Sequence, residues 1–347
     1  MFGKLSRDIA IDFGTATVLV YVQGQGIVLK EPSVVAIDKN TGVPIKIGSA
    51  ARNMLGRTPG NVVAMHPLKG GVISDQELTV RMLQEMFRSA LKSHKFYTPK
   101  PRVVIAVPSG VTEVEERTVI NAAIEAGARR VYLIEEALAA ALGANLDING
   151  PTGHMVVDIG GGTTDIAVLT MNSIATSSSI KVAGDNFDEA IARYVRRYHG
   201  VTIGQTTAED IKINIGSVYQ QGEDTEMTIL GRDVKTGMPR ELTLTSAEVR
   251  EVLFRLARQI ADEVLSVWEN TSPELVSDIA RNGIVLTGGG SQLRGMDLLL
   301  TERTGVRCSV ADDPGSCVVY GCGKSLAWIN KMREGPINIA RKRILKG

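Results

Sequence analysis

Glycine-rich turns flanked by carboxylates are the residues of this sequence best suited to chemistry. The longest turn, Gly160-Gly161-Gly162, lies between Asp158 and the run Thr163, Thr164 and Asp165. Bare glycine amides bind phosphate oxygens, hydroxyl groups add donors, and a carboxylate holds hydrated Mg²⁺. The same residues also fit a tight hairpin with solvated polar side chains, and this stretch alone favours neither interpretation.

Two further turns repeat parts of this pattern. Near the N-terminus an apolar run ends in Asp12, and the glycine, threonine and alanine residues 14–17 follow before another apolar run. A third turn, Gly288-Gly289-Gly290, precedes Ser291. Asp12 and Asp158 are about one domain length apart. Two similar hairpins at that separation indicate two related domains that close on one nucleotide.

Glycine turns also occur in dinucleotide-binding and P-loop proteins, so both classes are alternatives. A dinucleotide fingerprint requires that the glycine turn opens a helix. In this chain Gly14 and Gly160–Gly162 are each followed by a run typical of a strand, and no G-x-x-x-x-G-K-S/T motif is present. Phosphate binding by paired hairpins is therefore the remaining interpretation.

Length and composition predict a cytosolic globular protein of two domains. The 347 residues suffice for two sizeable cores, and 39 basic against 38 acidic residues leave no bulk field that would attract nucleic acid. Cys308, Cys317 and Cys322 show no C-x-x-C spacing and predict reduced core thiols, while four histidines without a cysteine cluster argue against zinc. We expect no signal peptide and no spanning helix, because no apolar run approaches about 20 residues.

Hydrophobic periodicity predicts the strands and helices that must position the turns. Residues 8–37 predict a β-meander, and the order strand, helix, strand, helix over 102–142 predicts parallel strands. Ligands bind at the carboxyl ends of such strands. Helix starts are predicted at the capping boxes of Thr112, Thr206 and Thr245, and Asp185 is predicted to cap a further helix.

Glu136 follows one of these strands and opens an alanine-rich helix. A water molecule that attacks a phosphate needs an acceptor to orient it, and Glu136 is the best candidate. A glutamate in the first turn of a helix is also favoured by the helix dipole alone. Its position in the sequence leaves both explanations open.

Two other segments have features typical of regions that bind a membrane surface. Phe96 and Tyr97 are adjacent aromatic residues on a proline-bounded loop flanked by lysines, in a chain with only 4% aromatic residues. Such a loop either packs back on its domain or enters a membrane interface, with its lysines facing anionic head groups. The tail, residues 337–347, contains four basic side chains and reads as a solvated end or as a second membrane contact.

Five motifs spread over almost the whole chain match one protein family. They are Ile11-Asp12-Phe13-Gly14-Thr15-Ala16, Arg57-Thr58-Pro59-Gly60-Asn61, Val107-Pro108-Ser109-Gly110-Val111-Thr112, Val157-Asp158-Ile159-Gly160-Gly161-Gly162-Thr163-Thr164 and Val182-Ala183-Gly184-Asp185. Together they are highly specific. The chain resembles the actin, heat-shock chaperone and sugar kinase superfamily and, within it, the MreB-type bacterial actins of the MreB/Mbl group.

The resemblance implies an α/β, actin-like ATPase fold of two related domains. Each domain would hold a mixed sheet flanked by helices and a small inserted subdomain. The junction expected at 149–153 divides the chain into residues 1–150 and 151–314. Inserts are expected at about 33–74 in the first domain and at about 184–244 in the second. A helix at about 315–331 would pack back on the first domain, and residues 332–347 would form a basic tail.

The resemblance also implies a function. Such proteins bind and hydrolyse ATP with Mg²⁺ and form paired antiparallel protofilaments on the cytoplasmic face of the cell membrane. With a membrane-embedded elongation machinery they direct cell-wall synthesis and maintain rod shape. The implied partners are thus further copies of the chain, the membrane and that machinery, and nucleic acid is not among them.

Site residues follow from the resemblance position by position. Asp12, Gly14, Thr15, Ala16 and Thr17 would form the first phosphate hairpin, and Gly160, Gly161, Gly162 and Thr163 the second. Asp12 and Asp158 would hold Mg²⁺ through water, and Glu136 and Thr163 would position the hydrolytic water. Glu209 and Lys212 would reach the ribose and base, and Gly288, Gly289, Gly290 and Ser291 the adenine side. Gly184 and Asp185 are implied as further nucleotide-binding residues. Phe96 and Tyr97 would form the membrane loop.

Three positions depart from the family pattern, and two other functions compete. Thr17 replaces a usual Asn, Ala137 a usual Pro and Asp165 a commoner Glu. A small-molecule kinase of the same superfamily would need an aspartate base where Glu136 stands. A chaperone-like ATPase would carry an added substrate-binding domain, which we do not expect within 347 residues.

Overall fold

A computed structural model describes residues 8–91 and 100–331. The first half contains β1 (Ile9–Phe13), β2 (Thr17–Val22), β3 (Gly26–Pro32), β4 (Val35–Asp38), β5 (Pro44–Ile47), α1 (Ser49–Arg52), β6 (Val62–Met65), β7 (Leu68–Lys69), β8 (Val72–Ile73), α2 (Gln76–Leu91), β9 (Arg102–Val107), α3 (Glu113–Ala126), β10 (Arg130–Glu135) and α4 (Glu136–Gly143).

The second half continues the alternation of strands and helices. It contains β11 (His154–Ile159), β12 (Thr164–Thr170), β13 (Ser173–Ile180), α5 (Gly184–Tyr194), β14 (Val201–Thr202), α6 (Gln205–Ile215), β15 (Glu226–Asp233), β16 (Pro239–Thr245), α7 (Ser246–Glu269), α8 (Pro273–Asn282), β17 (Ile284–Thr287), α9 (Met296–Thr304), β18 (Cys308–Val310) and α10 (Cys317–Ser325). A π-helical turn, Val195–His199, extends α5.

Each half is built on a five-stranded sheet, and the two sheets have the same topology. Their orders are β10-β9-β1-β2-β3 and β18-β17-β11-β12-β13. In both, the first three strands of the half form an antiparallel meander, and a later strand adds parallel to the first. The predicted fold class, two related domains each with a mixed sheet flanked by helices, is confirmed.

Three buried clusters hold the sheets and helices together. One fills the first half between its sheet and α2 and α3, and one fills the second half around α5, α6, α7 and α9. The third joins the halves, because it combines the buried alanines of α4 and Val318 and Cys322 of α10 with residues of both sheets, among them Val104 and Val156. Burial of apolar surface on this scale fixes the position of α4, and α4 carries Glu136.

Small sheets stand apart from the two main ones. Strands β5-β4-β6 form one three-stranded sheet, and β14-β15-β16 form another. Both lie within the ranges predicted as inserts. Helix α10 packs against α4. The residue limits of the domains themselves stay a prediction.

Two helices begin at a predicted capping box. Thr112 and Thr245 accept hydrogen bonds from the N–H groups of Glu115 and Glu248, and both predicted capping boxes are confirmed. The predicted cap at Thr206 is wrong, since α6 begins at Gln205 and its cap residue Gly204 has no side chain to accept a bond.

Two other helix limits also differ from the prediction. Asp185 lies inside the first turn of α5 rather than at its cap, and Asn186 accepts the N–H of Ala183 instead. Helix α10 ends at Ser325 and continues as a 3₁₀ turn to Trp328, short of the expected Lys331.

Within the described ranges, no helix is both long enough and apolar enough to cross a membrane. The longest, α7, has 24 residues but carries charged side chains along its exposed face. Phe96, Tyr97 and the basic tail at 332–347 lie outside the described residues.

Candidate functional site

A cavity of about 520 Å³ lies between the two halves, where the β1–β2 and β11–β12 hairpins face each other. It collects nearly all the residues predicted for the site, namely Asp12, Gly14, Thr15, Ala16, Thr17, Glu136, Asp158, Gly160, Gly161, Gly162, Thr163, Gly184, Asp185, Glu209, Lys212, Gly288, Gly289 and Gly290. These positions come from distant parts of the chain, and the tertiary structure brings them to one cleft.

The two hairpins approach so closely that only glycine fits at their contact. A Cβ atom on Gly161 would lie 2.6 Å from the Cβ of Ala16, and one on Gly162 would lie 2.9 Å from both the Cβ of Thr15 and the N atom of Gly71. The N–H of Gly71 in turn donates to Thr15 Oγ1 over 3.0 Å. The backbone is therefore exposed to the cavity on both sides, as a phosphate-binding cradle requires.

Gly161→Ala is expected to lower nucleotide affinity by about 5-fold to 100-fold, because overpacking costs typically about 1–3 kcal/mol and the added methyl group would separate the hairpins. The measurement is titration with a fluorescent ATP analogue. Gly60→Ala is the matched control, since a Cβ there meets no atom within 4 Å. Equal affinities of Gly161→Ala and wild type would show that the hairpin contact is dispensable.

Helix α5 fixes the second hairpin from behind. The N–H groups of Gly184 and Asp185 donate to the carbonyl oxygens of Gly160 and Gly161 over 3.1 and 2.8 Å. Thr164 Oγ1 donates to the carbonyl of Val182 over 2.7 Å. These bonds leave the hairpin little freedom to move, so its amides are ordered before any ligand arrives.

Two carboxylates stand on the floor of the cleft, one from each half. Shielding from bulk water raises the pKa of Asp12 to about 7, and the nearby charge of Asp158 adds to this effect. Desolvation likewise raises the pKa of Asp158 to about 7, although a 2.7 Å hydrogen bond from Thr287 Oγ1 opposes it. A pair of carboxylates held in this way is a site that a cation would stabilise.

The residues present fit Mg²⁺ bound through water. Among the described residues no group of three or more His, Cys, Asp or Glu side chains is placed to ligate a metal directly. Mg²⁺ keeps several waters and is usually bound by one or two carboxylates together with substrate phosphates. Asp12 and Asp158 beside the glycine cradle supply that donor set.

Raised carboxyl pKa values also predict how stability depends on pH. The folded Asp158 binds its proton up to a pH of about 7 but the unfolded one only up to 3.8. Its protonated form thus stabilises the ligand-free fold fully below pH 4, and this contribution is lost as the pH rises towards 7.

Asp158→Asn is therefore expected to make the ligand-free protein more stable at pH 8, on the order of a few kcal/mol. The same change should abolish stabilisation by Mg-ATP. Urea unfolding between pH 5 and pH 8, with and without Mg-ATP, measures both effects. If the two proteins lose stability in parallel as the pH rises, the assignment of the pH dependence to Asp158 is wrong.

Glu136 lines the same cavity as the first residue of α4. Desolvation, and then the charge of Asp165, raise the pKa of Glu136 well above its usual value. An acid placed there for the helix dipole alone would be solvated, whereas Glu136 is desolvated and lies close enough to Asp165, Asp12 and Asp158 to be affected by their charges. This environment is typical of a functional acid.

Asp165 lies behind Glu136 and was not predicted as a site residue. It pairs across the hairpin with Asp158, and its Oδ1 accepts the N–H of Ser109 over 2.8 Å. Ser109 belongs to the first half and Asp165 to the second, so this bond joins them directly beside the cleft. The sequence showed Asp165 as the second carboxylate beside the glycine turn, but no motif indicated that it would join the two halves.

Other lining residues were missed for simpler reasons. Gly71 is one of many glycines, and only its contact with Thr15 distinguishes it. Asp188 has a pKa raised to about 6 by desolvation, opposed by the ammonium group of Lys212, which lies 2.8 Å from its Oδ1. Its position three residues after Asp185, on the same helical face, was the available signal.

Glu209 and Lys212, predicted to contact the ribose and base, lie at the mouth of the cleft. Both already interact with other residues of the protein. Lys212 Nζ donates to the carbonyl of Gly184 over 3.2 Å as well as to Asp188. Glu209 forms an ion pair with Arg52. Ser291 does not line the cavity, because it is buried and its Oγ donates to the carbonyl of Gly288 over 2.7 Å.

The duplicated sheets, the facing glycine hairpins and the carboxylates between them define an actin-like nucleotide-binding protein. Solved structures agree. MreB5 of Spiroplasma citri bound to AMPPNP superposes with a TM-score of 0.88 at 41% identity, covering 94% of this chain and 98% of that one. The MamK double helical filament, at 21% identity, matches in fold with a TM-score of 0.79 and covers 93% and 99%.

Sequence relatives define the family. A family model described as MreB/Mbl protein matches residues 6–334. The cell shape-determining protein Mbl of Bacillus cereus is 49% identical over 327 residues, 94% of this chain and 98% of the relative. The cell shape-determining protein MreB of Escherichia coli is 50% identical over 332 residues, 94% and 95% of the two chains. The chain belongs to the MreB/Mbl family, and these relatives support a cytoskeletal role.

Proposed function

We propose that this chain is an ATP-hydrolysing cytoskeletal protein. It polymerises into paired antiparallel protofilaments on the cytoplasmic face of the membrane, and with a membrane-embedded machinery it directs cell-wall elongation and rod shape. The observation that carries the proposal is the meeting of two glycine hairpins and two carboxylates in one cleft, in a chain about half identical to cell shape-determining proteins.

In this proposal each part of the cleft has a task. Amides of the second hairpin, Gly160–Gly162, and the hydroxyl group of Thr15 bind phosphate oxygens. Asp12 and Asp158 would hold Mg²⁺ through water, and the cation would supply charge neutralisation on the phosphates. Glu136 and Thr163 orient the water for attack. Phosphoryl transfer needs positioning and charge more than covalent chemistry, and this set of groups provides both.

Thr17 and Ala137, which depart from the family pattern, do not remove any of these groups. Thr17 lines the cavity with a hydroxyl group that can donate to phosphate. Ala137 is fully buried in the cluster that joins the two halves, and α4 still begins at Glu136. Packing thus supplies the helix start that a proline would otherwise favour.

One experiment tests nucleotide use, assembly and membrane binding together. The protein is sedimented with anionic vesicles, with and without Mg-ATP, and released phosphate is measured in the same samples. We expect ordered filaments on the vesicles with Mg-ATP and phosphate release without a phosphorylated acceptor. Formation of a phosphorylated small molecule would instead support the kinase alternative. A protein that stays monomeric under all conditions would contradict the proposal that it forms filaments.

The membrane part of the proposal has its own variants. The double substitution Phe96→Ser and Tyr97→Ser is expected to abolish vesicle binding and leave phosphate release intact, because burial of two aromatic side chains anchors the loop. Tyr198→Ser is the matched control, since Tyr198 is 68% exposed elsewhere on the surface. Equal loss in both variants would mean that the loop is not the anchor.

A further inference from the structure

An ion pair joins the two sides of the cleft at its mouth. Arg52 is the last residue of α1, beside the small sheet of the first half, and Glu209 lies on α6 of the second half. Arg52 Nη2 is 2.5 Å from Glu209 Oε2, and the two side chains are 39% and 32% exposed. The pair is thus open to solvent on one side and faces the protein on the other.

The protein side of this pair is part of the route into the nucleotide cavity. A small pocket of about 50 Å³ lies under it, and this pocket shares Ala16, Thr17, Asp185 and Glu209 with the larger cavity. Arg52 and Glu209 both line the small pocket, so a molecule that leaves the larger cavity through it passes the ion pair. The two halves can separate here only if Arg52 and Glu209 part.

The small pocket is acidic on the side of the second half, and Arg52 faces this acidic side from the first half. Asp185, Asp188 and Glu209 place three carboxylates on the second half at this pocket, and Lys212 is engaged with Asp188. On the first half, His66 faces Asp185, and within the described part of the chain neither of its ring nitrogens has a hydrogen-bond partner. Arg52 therefore supplies a permanent positive charge to an acidic wall.

We propose that Arg52 and Glu209 form a latch that slows the departure of nucleotide from the cleft. The inference rests on the proposed function, because it requires a nucleotide in the cavity. Glu209 is also expected at the ribose, and its ion pair with Arg52 holds that carboxylate between the two halves. The latch assigns to Arg52 a role in nucleotide exchange that its place on a short surface helix does not indicate.

The expected effect is modest and specific. Half-exposed ion pairs contribute little, so Arg52→Ala is expected to raise the dissociation rate constant of bound nucleotide about two- to fivefold. Arg52→Glu should raise it further, because like charges would then face each other, and Arg52→Lys should stay close to wild type. Salt screens such pairs, so added salt should speed release from wild type more than from Arg52→Ala.

Stopped-flow release of a fluorescent ADP analogue, chased with unlabelled ATP in Mg²⁺, measures these rates on the full-length protein. Arg57→Ala is the matched control, since Arg57 is an exposed arginine five residues away on the same insert. Melting temperatures of all variants confirm that each is folded. The predicted order of release rates is Arg52→Glu, then Arg52→Ala, then Arg52→Lys together with Arg57→Ala and wild type.

Two outcomes would overturn the latch, and they differ in what else they affect. If wild type binds the analogue but Arg52→Ala and Arg52→Glu release it at the wild-type rate, the latch is wrong and the nucleotide site stands. If wild type binds no nucleotide, the proposed function fails and the latch fails with it.

Discussion

Replacing Glu136 by glutamine is expected to reduce the rate of ATP hydrolysis about 100-fold, the lower end of the usual contribution of a general base. Nucleotide affinity should change no more than about twofold, because glutamine has the same shape and the phosphate cradle is untouched. Glutamine can still donate to or accept from a water molecule, but it cannot take a proton from it. The expected result is therefore a loss in kcat with little change in KM.

The structure supplies the reason for so large an effect. Glu136 is held at the cavity by a helix whose alanines are fully buried, so its carboxylate has a fixed position. The pKa of Glu136 lies well above its usual value because of desolvation and then Asp165. Hydrolysis should accordingly increase with pH as Glu136 ionises, and Asp165→Asn should shift this rise to lower pH.

Glu135→Gln is the matched control for this experiment. Glu135 is the neighbouring acid, but it is buried towards a different cavity, lined by Leu138, Ile148 and Trp328. Its substitution by glutamine should leave the hydrolysis rate within about twofold of wild type, as expected for a group outside the reaction. A Glu136→Gln protein that hydrolyses ATP at the wild-type rate would falsify the assignment of the water to Glu136.

Gly321→Ala is expected to destabilise the fold by about 2–3 kcal/mol, at the upper end of the usual cost of overpacking. Gly321 lies in α10, where alanine normally favours a helix by about 1 kcal/mol, so the prediction runs against helix propensity. A Cβ atom at this position would overlap the backbone carbonyl of Ala139 in α4. Gly143 stands in the reciprocal position against the carbonyl of Cys317.

Neither helix can yield to the added methyl group, since the obstacle on each side is backbone rather than a flexible side chain. Both helices also pack into the cluster that joins the two sheets. Because α4 carries Glu136 and α10 contributes Val318 to the cleft wall, a shift of either helix should weaken nucleotide binding as well. Urea unfolding and nucleotide titration of the same variant test the two consequences.

Two other glycines provide controls for the stability of Gly321→Ala. A Cβ on Gly323 would meet only the ring of Tyr21, at 2.9 Å, and a side chain can move, so Gly323→Ala should cost less than Gly321→Ala. A Cβ on Gly150 meets nothing within 4 Å, and Gly150→Ala should be close to neutral. If Gly321→Ala is as stable as Gly150→Ala, the close crossing of α4 and α10 is not the constraint described here.

Local sequence determined the hairpins, most caps and the class of site. Apolar runs around Gly14 and around Gly160–Gly162 have strand periodicity, so each turn had to join two strands. The capping boxes at Thr112 and Thr245 are satisfied within four residues, and for that reason they could be read directly. The family motifs consist of short contiguous stretches of this kind, so they also predicted most of the residues that line the cleft.

Contacts between distant residues were decided only by the tertiary structure. The ion pair of Arg52 with Glu209 spans 157 positions, and the bond from Ser109 to Asp165 spans 56. Ser291 was predicted to contact the nucleotide together with the third glycine turn. In the structure its side chain is buried and donates a hydrogen bond to the carbonyl of Gly288 instead. Periodicity and motif spacing report which face of an element is buried. The partner across a cleft depends on how whole domains pack, and no local pattern carries that information.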